Sequence, residues 1–177
     1  MSRRIPEHID PFRLAEADRQ IAGRLPLEQM QRLAPSLVSS AGAVEIDLMF
    51  QMDDIGVPCI KGKLHATLQV ICQRCMEPMG LNIDASICLG LVDGKDRGEE
   101  LPGEYEPLVI GEAHVSLPDI IEDELILALP VVPMHELAEC PAAEHVAAST
   151  ETTEETVKEN PFAVLKQFKS NHEDNQE

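Results

Sequence analysis

Three stretches of the chain alternate apolar and polar residues with the two-residue period of a β-strand. Over residues 44–52, Val44, Ile46, Leu48, Phe50 and Met52 fall on one face. Glu45, Asp47 and Gln51 fall on the other, and Met49 breaks the rule. From Ile60 to Cys72 the apolar face carries Ile60, Leu64, Ala66, Leu68, Val70 and Cys72, against Lys61, Lys63, His65, Thr67 and Gln69. Leu81, Ile83, Ala85, Ile87, Leu89 and Leu91 give a third strand of the same kind. Parity restricts how the first two pair. With Phe50 opposite Ile60, Ile46 opposite Leu64 and Asp47 opposite Lys63, both apolar faces coincide, whereas a slip of one residue would bury Lys63. The pattern predicts an antiparallel meander of three or more long strands with one solvated face.

Helix signals flank this meander. Asp10-Pro11 supplies an N-cap and an N1 proline for a short helix, and 20–25 reads as a short extended piece. Leu27, Met30 and Leu33 share one face of a predicted second short helix, closed by Pro35. Asp53-Asp54-Ile55-Gly56 is turn chemistry, 93–98 is a polar loop, and 101–110 ends in a short strand. Ser116-Leu117-Pro118-Asp119 opens a helix predicted from Leu117 to Leu129, with Leu117, Ile120, Ile121, Leu125 and Ala128 as the stripe that covers the sheet. The fold class expected is therefore α+β: a β-meander covered by one main helix, with short N-terminal helices.

Past Cys140 the composition turns to Ala, Thr and Glu. That predicts one α+β domain over 1–141, a flexible acidic linker over 142–159, and a short C-terminal helix and tail over 160–177. Asn160-Pro161 would start that helix, with Phe162 and Leu165 at helical spacing. Its apolar side either folds back on the domain or binds a partner.

The 177 residues carry a formal net charge of −18, one Tyr and no Trp. Such a balance disfavours sequence-independent capture of a phosphate backbone and base stacking, and it favours a basic partner. Met1-Ser2-Arg3-Arg4 is followed by Ile5-Pro6-Glu7-His8 rather than an apolar run, and no stretch reaches the ~20 apolar residues of a membrane span. The expectation is a soluble protein of the reducing cytoplasm, whose five cysteines are thiols or metal ligands.

Cys72-x-x-Cys75 sits at a predicted hairpin tip, a place where two thiolates can be aimed at one zinc ion. His135, Cys140 and His145 follow the main helix and are the nearest further ligands; Cys72, Cys75, His135 and Cys140 form the candidate zinc set. The alternative is that Cys72 belongs to the core and Cys75 is a turn thiol. A thioredoxin-type role lacks the helix start after the first thiol. Cys59 and Cys88 fall by parity on polar faces. No nucleophile elbow, phosphate loop, dinucleotide fingerprint or zinc-protease helix is present. Glu122, Asp123 and Glu124 are adjacent, so they fan around a helix and do not converge as a general acid and base.

The segment 121–135, Ile-Glu-Asp-Glu-Leu-Ile-Leu-Ala-Leu-Pro-Val-Val-Pro-Met-His, fuses carboxylates to an apolar block that prolines terminate. It reads as a docking element, with Glu122, Asp123, Glu124, Leu125, Pro130, Pro133 and His135 joined by Phe162 and Leu165 as partner-binding candidates. Together with Cys72-Gln-Arg-Cys75, the 101–108 run Leu-Pro-Gly-Glu-Tyr-Glu-Pro-Leu and the 160–165 run Asn-Pro-Phe-Ala-Val-Leu, it resembles the YceD family of large ribosomal RNA subunit accumulation proteins. The resemblance implies a non-enzymatic factor in large-subunit biogenesis. It also points to ribosomal protein L32 as a client, because the two genes commonly adjoin. Many family members carry a second cysteine pair after the proline-rich stretch. This chain has only Cys140 there, so a mixed or absent metal site replaces a four-cysteine one. Three functions are thus set side by side: an acidic factor that binds a basic ribosomal protein or immature particle; an RNA binder using Lys61, Lys63, His65 and Arg74; and a metal-dependent RNA-processing enzyme.

Overall fold

The computed structural model describes residues 5–94, 101–111 and 114–144. The chain divides into two compact units, Met1–Cys140 and Pro141–Glu177. The strands and helices named below all lie in the first. The chain past residue 144, with the expected C-terminal helix and its Phe162 and Leu165, lies outside the described residues.

The fold is α+β. In chain order the elements are β1 (His8–Ile9), α1 (Pro11–Glu16), β2 (Arg19–Pro26), β3 (Ala43–Met52), β4 (Pro58–Ile71), β5 (Pro78–Asp93), β6 (Glu106–Ile110), β7 (Val115–Ser116) and α2 (Leu117–Ala128). A five-stranded sheet has the order β2-β3-β4-β5-β6, antiparallel except for the parallel β5–β6 pair; β1 and β7 form a separate two-stranded ladder. The β3–β4 register is the one parity selects: Phe50 opposite Ile60, Asp47 opposite Lys63 and Ile46 opposite Leu64. Gly62 stands opposite Leu48, where the strands approach so closely that a Cβ would lie 2.3 Å from the Asp47 carbonyl oxygen. The alternating pattern therefore needs glycine at that core-facing position.

The core lies on one face of the sheet. Val44, Ile46, Leu48 and Phe50 of β3 meet Ile60, Leu64, Leu68 and Val70 of β4 and Ile87 and Leu89 of β5 there. Leu117, Ile121 and Leu125 of α2 are wholly buried in the same cluster. Each such side chain contributes on the order of 1.5–3 kcal/mol by leaving water. Ser116 Oγ accepts the Asp119 N–H at 3.3 Å, and Pro118 occupies the first turn of α2. The helix stops at Leu129, ahead of Pro130.

Two expectations fail for physical reasons. The stretch after β2 is not an α-helix but two 3-10 turns, Leu27–Gln29 and Ala34–Ser36. Leu27, Met30 and Leu33 are nonetheless all buried in the core cluster. The backbone N–H groups of Arg32 and Leu33 go to the Glu122 carboxylate, at 2.6 and 2.9 Å. Second, the face opposite the core is not polar throughout, and Cys59 is completely buried on it. Residues 101–105 fold across its end. A Cβ on Gly90 would lie 2.8 Å from Leu101 and 3.1 Å from Tyr105, so glycine lets the segment lie flat on the sheet. Tyr105 then donates its hydroxyl proton to Asp53 at 2.7 Å, under the ammonium of Lys61, 4.9 Å from the ring centre.

Candidate metal centre

The β4–β5 tip is built around Cys72. Its N–H donates to the Glu77 carbonyl at 2.9 Å, and its own carbonyl accepts the Met76 N–H at 2.8 Å. Met76 pays for this tight turn with a left-handed φ of 62°. The turn also points backbone donors at sulfur: Arg74 N–H lies 3.4 Å from Cys72 Sγ. A second approach comes from the strap that follows α2. Pro130 and Pro133 keep it from continuing as helix. The Pro133 carbonyl accepts the Gln73 N–H at 2.8 Å, and the His135 N–H reaches Cys72 Sγ at 3.5 Å. His135 Nδ1 is then 3.4 Å from Cys75 Sγ. A 3-10 turn, Leu137–Glu139, brings Cys140 back to the same point.

One ligand atom from each of Cys72, Cys75, His135 and Cys140 lies within 4.8 Å of the others. A tetrahedral ion with bonds of about 2.3 Å needs ligand separations of about 3.7 Å, so closure asks for shifts of about an ångström. Cys72 and Cys140 are buried, while Cys75 and His135 are half-buried. Burial pushes the Cys72 thiol up, but donation from the N–H groups of Cys75, His135 and Arg74, and from the Cys75 thiol, outweighs it and brings Cys72 down to about 5. Burial and the neighbouring Cys72 and Cys140 sulfurs hold Cys75 above its ordinary value, against donation from the Glu77 N–H. The arrangement holds one thiolate ready and keeps two further soft donors and an imidazole beside it. That donor chemistry suits zinc, with all four positions filled by protein.

The strap carries the most exposed apolar side chains near this centre. Val131 is 98% exposed, Val132 and Leu137 are each 52%, Met134 is 45%, and Met76 at the hairpin tip is 66%. Glu77, Glu136 and Glu139 are exposed beside them. Val131, Val132 and Met134 belong to the docking element expected over 121–135, whereas Met76 and Leu137 lie outside it. The available signal was Val131-Val132 held between two prolines.

The predicted docking residues separate into groups. Glu122 is 3% exposed; besides the two backbone N–H groups, it accepts from Arg32 Nε at 3.1 Å. Arg32 also pairs with Asp123 and donates to the Asp119 carbonyl at 3.0 Å. Glu122 and Asp123 thus tie α2 to the 3-10 segment, and Glu122 is not a surface charge. Glu124 is half-buried, and burial with its neighbours Glu106 and Asp123 raises its pKa. Leu125 is core, Pro130 is exposed, and Pro133 and His135 belong to the strap.

Nor do the basic residues of the outer sheet face make a strip. His65 bonds Asp84 at 2.6 Å, and Lys61 is seated on Tyr105. Arg74 lies beside Cys72 at the hairpin tip, with Nη2 3.6 Å from Met134 Sδ. Lys63 is exposed opposite Asp47, which accepts instead from Gln20 at 2.6 Å. Among the described residues, no helix is long and apolar enough to cross a membrane.

Residues 60–169 match the family model described as large ribosomal RNA subunit accumulation protein YceD. The protein of that name from Haemophilus influenzae is 33% identical over 168 residues, which cover 94% of this chain and 97% of its relative. No solved structure matches the chain.

Proposed function

The chain belongs to the YceD family, and on that footing we propose that it is a non-enzymatic, cytoplasmic factor in large ribosomal subunit biogenesis. It supports accumulation of the large-subunit ribosomal RNA by binding a basic ribosomal protein or a protein-rich patch of the immature particle. Cys72, Cys75, Cys140 and His135 hold a structural zinc ion that fastens the strap to the hairpin tip. A closed four-ligand site leaves no coordination position for a substrate, and its contribution is to folding.

The observation that carries this reading is the apolar crown of Met76, Val131, Val132, Met134 and Leu137, held out on a backbone that the sulfur cluster fixes. Exposed apolar residues grouped this way mark contact surfaces. Holding them rigid lowers the ordering cost of association. The net charge of −18 speeds encounter with a basic client, and the crown supplies short-range affinity. Glu122 and Leu125 serve the docking element from beneath, by fixing α2, while Pro130, Val131 and Val132 meet the partner. Titration of the zinc-loaded protein with ribosomal protein L32, and with other basic large-subunit proteins in parallel, tests it. Binding to at least one of them at low salt, lost in Met76→Asp/Val131→Asp, is the expected outcome. Equal titration curves for variant and wild type would refute the crown as the contact.

A further inference from the structure

A cleft of about 500 Å³ lies beside the β1–β7 ladder, lined by Pro6, Ile9 and Leu14 and by the polar side chains of His8, Arg13, Arg19 and His114, with Asp10 at its edge. Three observations set it apart. Arg13 and Arg19 have no ion-pair or hydrogen-bond partner for their guanidinium groups among the described residues, whereas Arg24 pairs with Glu45 and Arg32 with Glu122 and Asp123. Asp10, the acid at the rim, already accepts the Arg13 N–H at 3.1 Å with its Oδ1. Arg19, the first residue of edge strand β2, is opposite Phe50, so its side chain leaves the sheet on the core-bearing side, beside α1.

We propose that this cleft binds a nucleotide unit of single-stranded RNA, with the phosphate between Arg13 and Arg19 and the sugar and base against Pro6 and Leu14. Guanidinium groups match phosphate oxygens in pairs, and the N–H groups of His8 and His114 add donors on the other wall. The apolar wall suits a sugar and a base, which a free phosphate lacks. The proposal goes beyond the docking function above and uses a different surface. Ser116, the N-cap of α2, pairs with His8 at the cleft, while the strap leaves the other end of the helix. The 12 residues of α2 put about 18 Å between the two sites. That is about twice the screening length at physiological salt, so the acids around the strap repel RNA only weakly here.

The test is fluorescence anisotropy with a labelled 12-nucleotide single-stranded RNA at low salt, using the full zinc-loaded chain. Wild type should bind. Arg13→Glu/Arg19→Glu should bind at least about tenfold more weakly, with a salt dependence flattened by about 0.7 in log–log slope, the share of one phosphate. Both positions are exposed, and an unchanged circular dichroism spectrum verifies the fold. Lys61→Glu/Lys63→Glu, on the outer sheet face, should retain wild-type affinity. Absence of wild-type binding, an unchanged constant in the arginine variant, or equal loss in both variants would overturn the assignment. So would preference for an oligoglutamate peptide over RNA.

Discussion

Glu122 looks in sequence like one of three solvent-facing acids at a helix start, and it is the buried one. Its carboxylate takes two backbone N–H groups and a guanidinium from a segment about ninety residues earlier. No local pattern reveals such a partner, since helical periodicity places a residue on a face without saying what that face meets. Removing charge-assisted bonds to a buried carboxylate costs more than removing an exposed ion pair. Glu122→Gln should lower unfolding stability by about 2 kcal/mol in urea titrations, and Asp123→Asn by less than about 1 kcal/mol. Equal small losses would mean that the 3-10 segment does not depend on Glu122. Tyr105 gives a second residue-scale check, because it is the one tyrosine in a chain without tryptophan. Lys61 draws its pKa down, but the bond to Asp53 and burial outweigh that and push it up to about 12. A folded value above the ordinary ~10 means that the stability Tyr105 contributes is complete below that pH and is lost as pH rises through about 12. The ultraviolet titration should therefore have its midpoint near 12 in the native protein, and Asp53→Asn should move it down. A wild-type midpoint near 10 would contradict the Tyr105–Asp53 bond.

Elements were legible where period alone decides them. Alternation along β3 and β4 fixed both the strands and their register, since only one parity buries Leu64 and exposes Lys63. Ser116 and Pro130 bracketed α2 to within a residue. The burial of Cys59 was not legible, because it depends on residues 101–105 crossing a face that the strand pattern marks as polar. The grouping of Cys72 and Cys75 with His135 and Cys140 followed from a hairpin-tip CxxC and the direction of the helix that returns the chain. The exposure of Val131 on the strap did not, since it depends on how two prolines hold the backbone. If zinc fastens the strap, chelation should release the Gln73 and His135 amides to hydrogen exchange while β3, β4 and β5 remain protected. Protease cleavage within 130–140 should rise in parallel. Unaltered exchange at both amides after verified metal loss would show that the backbone bonds alone hold the strap.

The whole molecule joins features that its bulk charge conceals. A chain of net charge −18 keeps in one cleft at the start of α2 two arginines whose guanidinium groups have no partner among the described residues, and an apolar crown with neighbouring acids beyond its end. Total charge predicts the sign of the preferred partner but averages over these two surfaces, and the fold separates them. Family membership ties the chain to the large ribosomal subunit, and we propose the crown as the surface that holds a basic client. The most direct measurement is affinity capture from growing cells, with wild type and Met76→Asp/Val131→Asp compared side by side and half of each sample treated with nuclease. The account predicts that wild type retains a basic large-subunit protein after nuclease and that the variant, folded and zinc-loaded, loses it. Retention of the same protein by both, or its loss from wild type once RNA is digested, would contradict it.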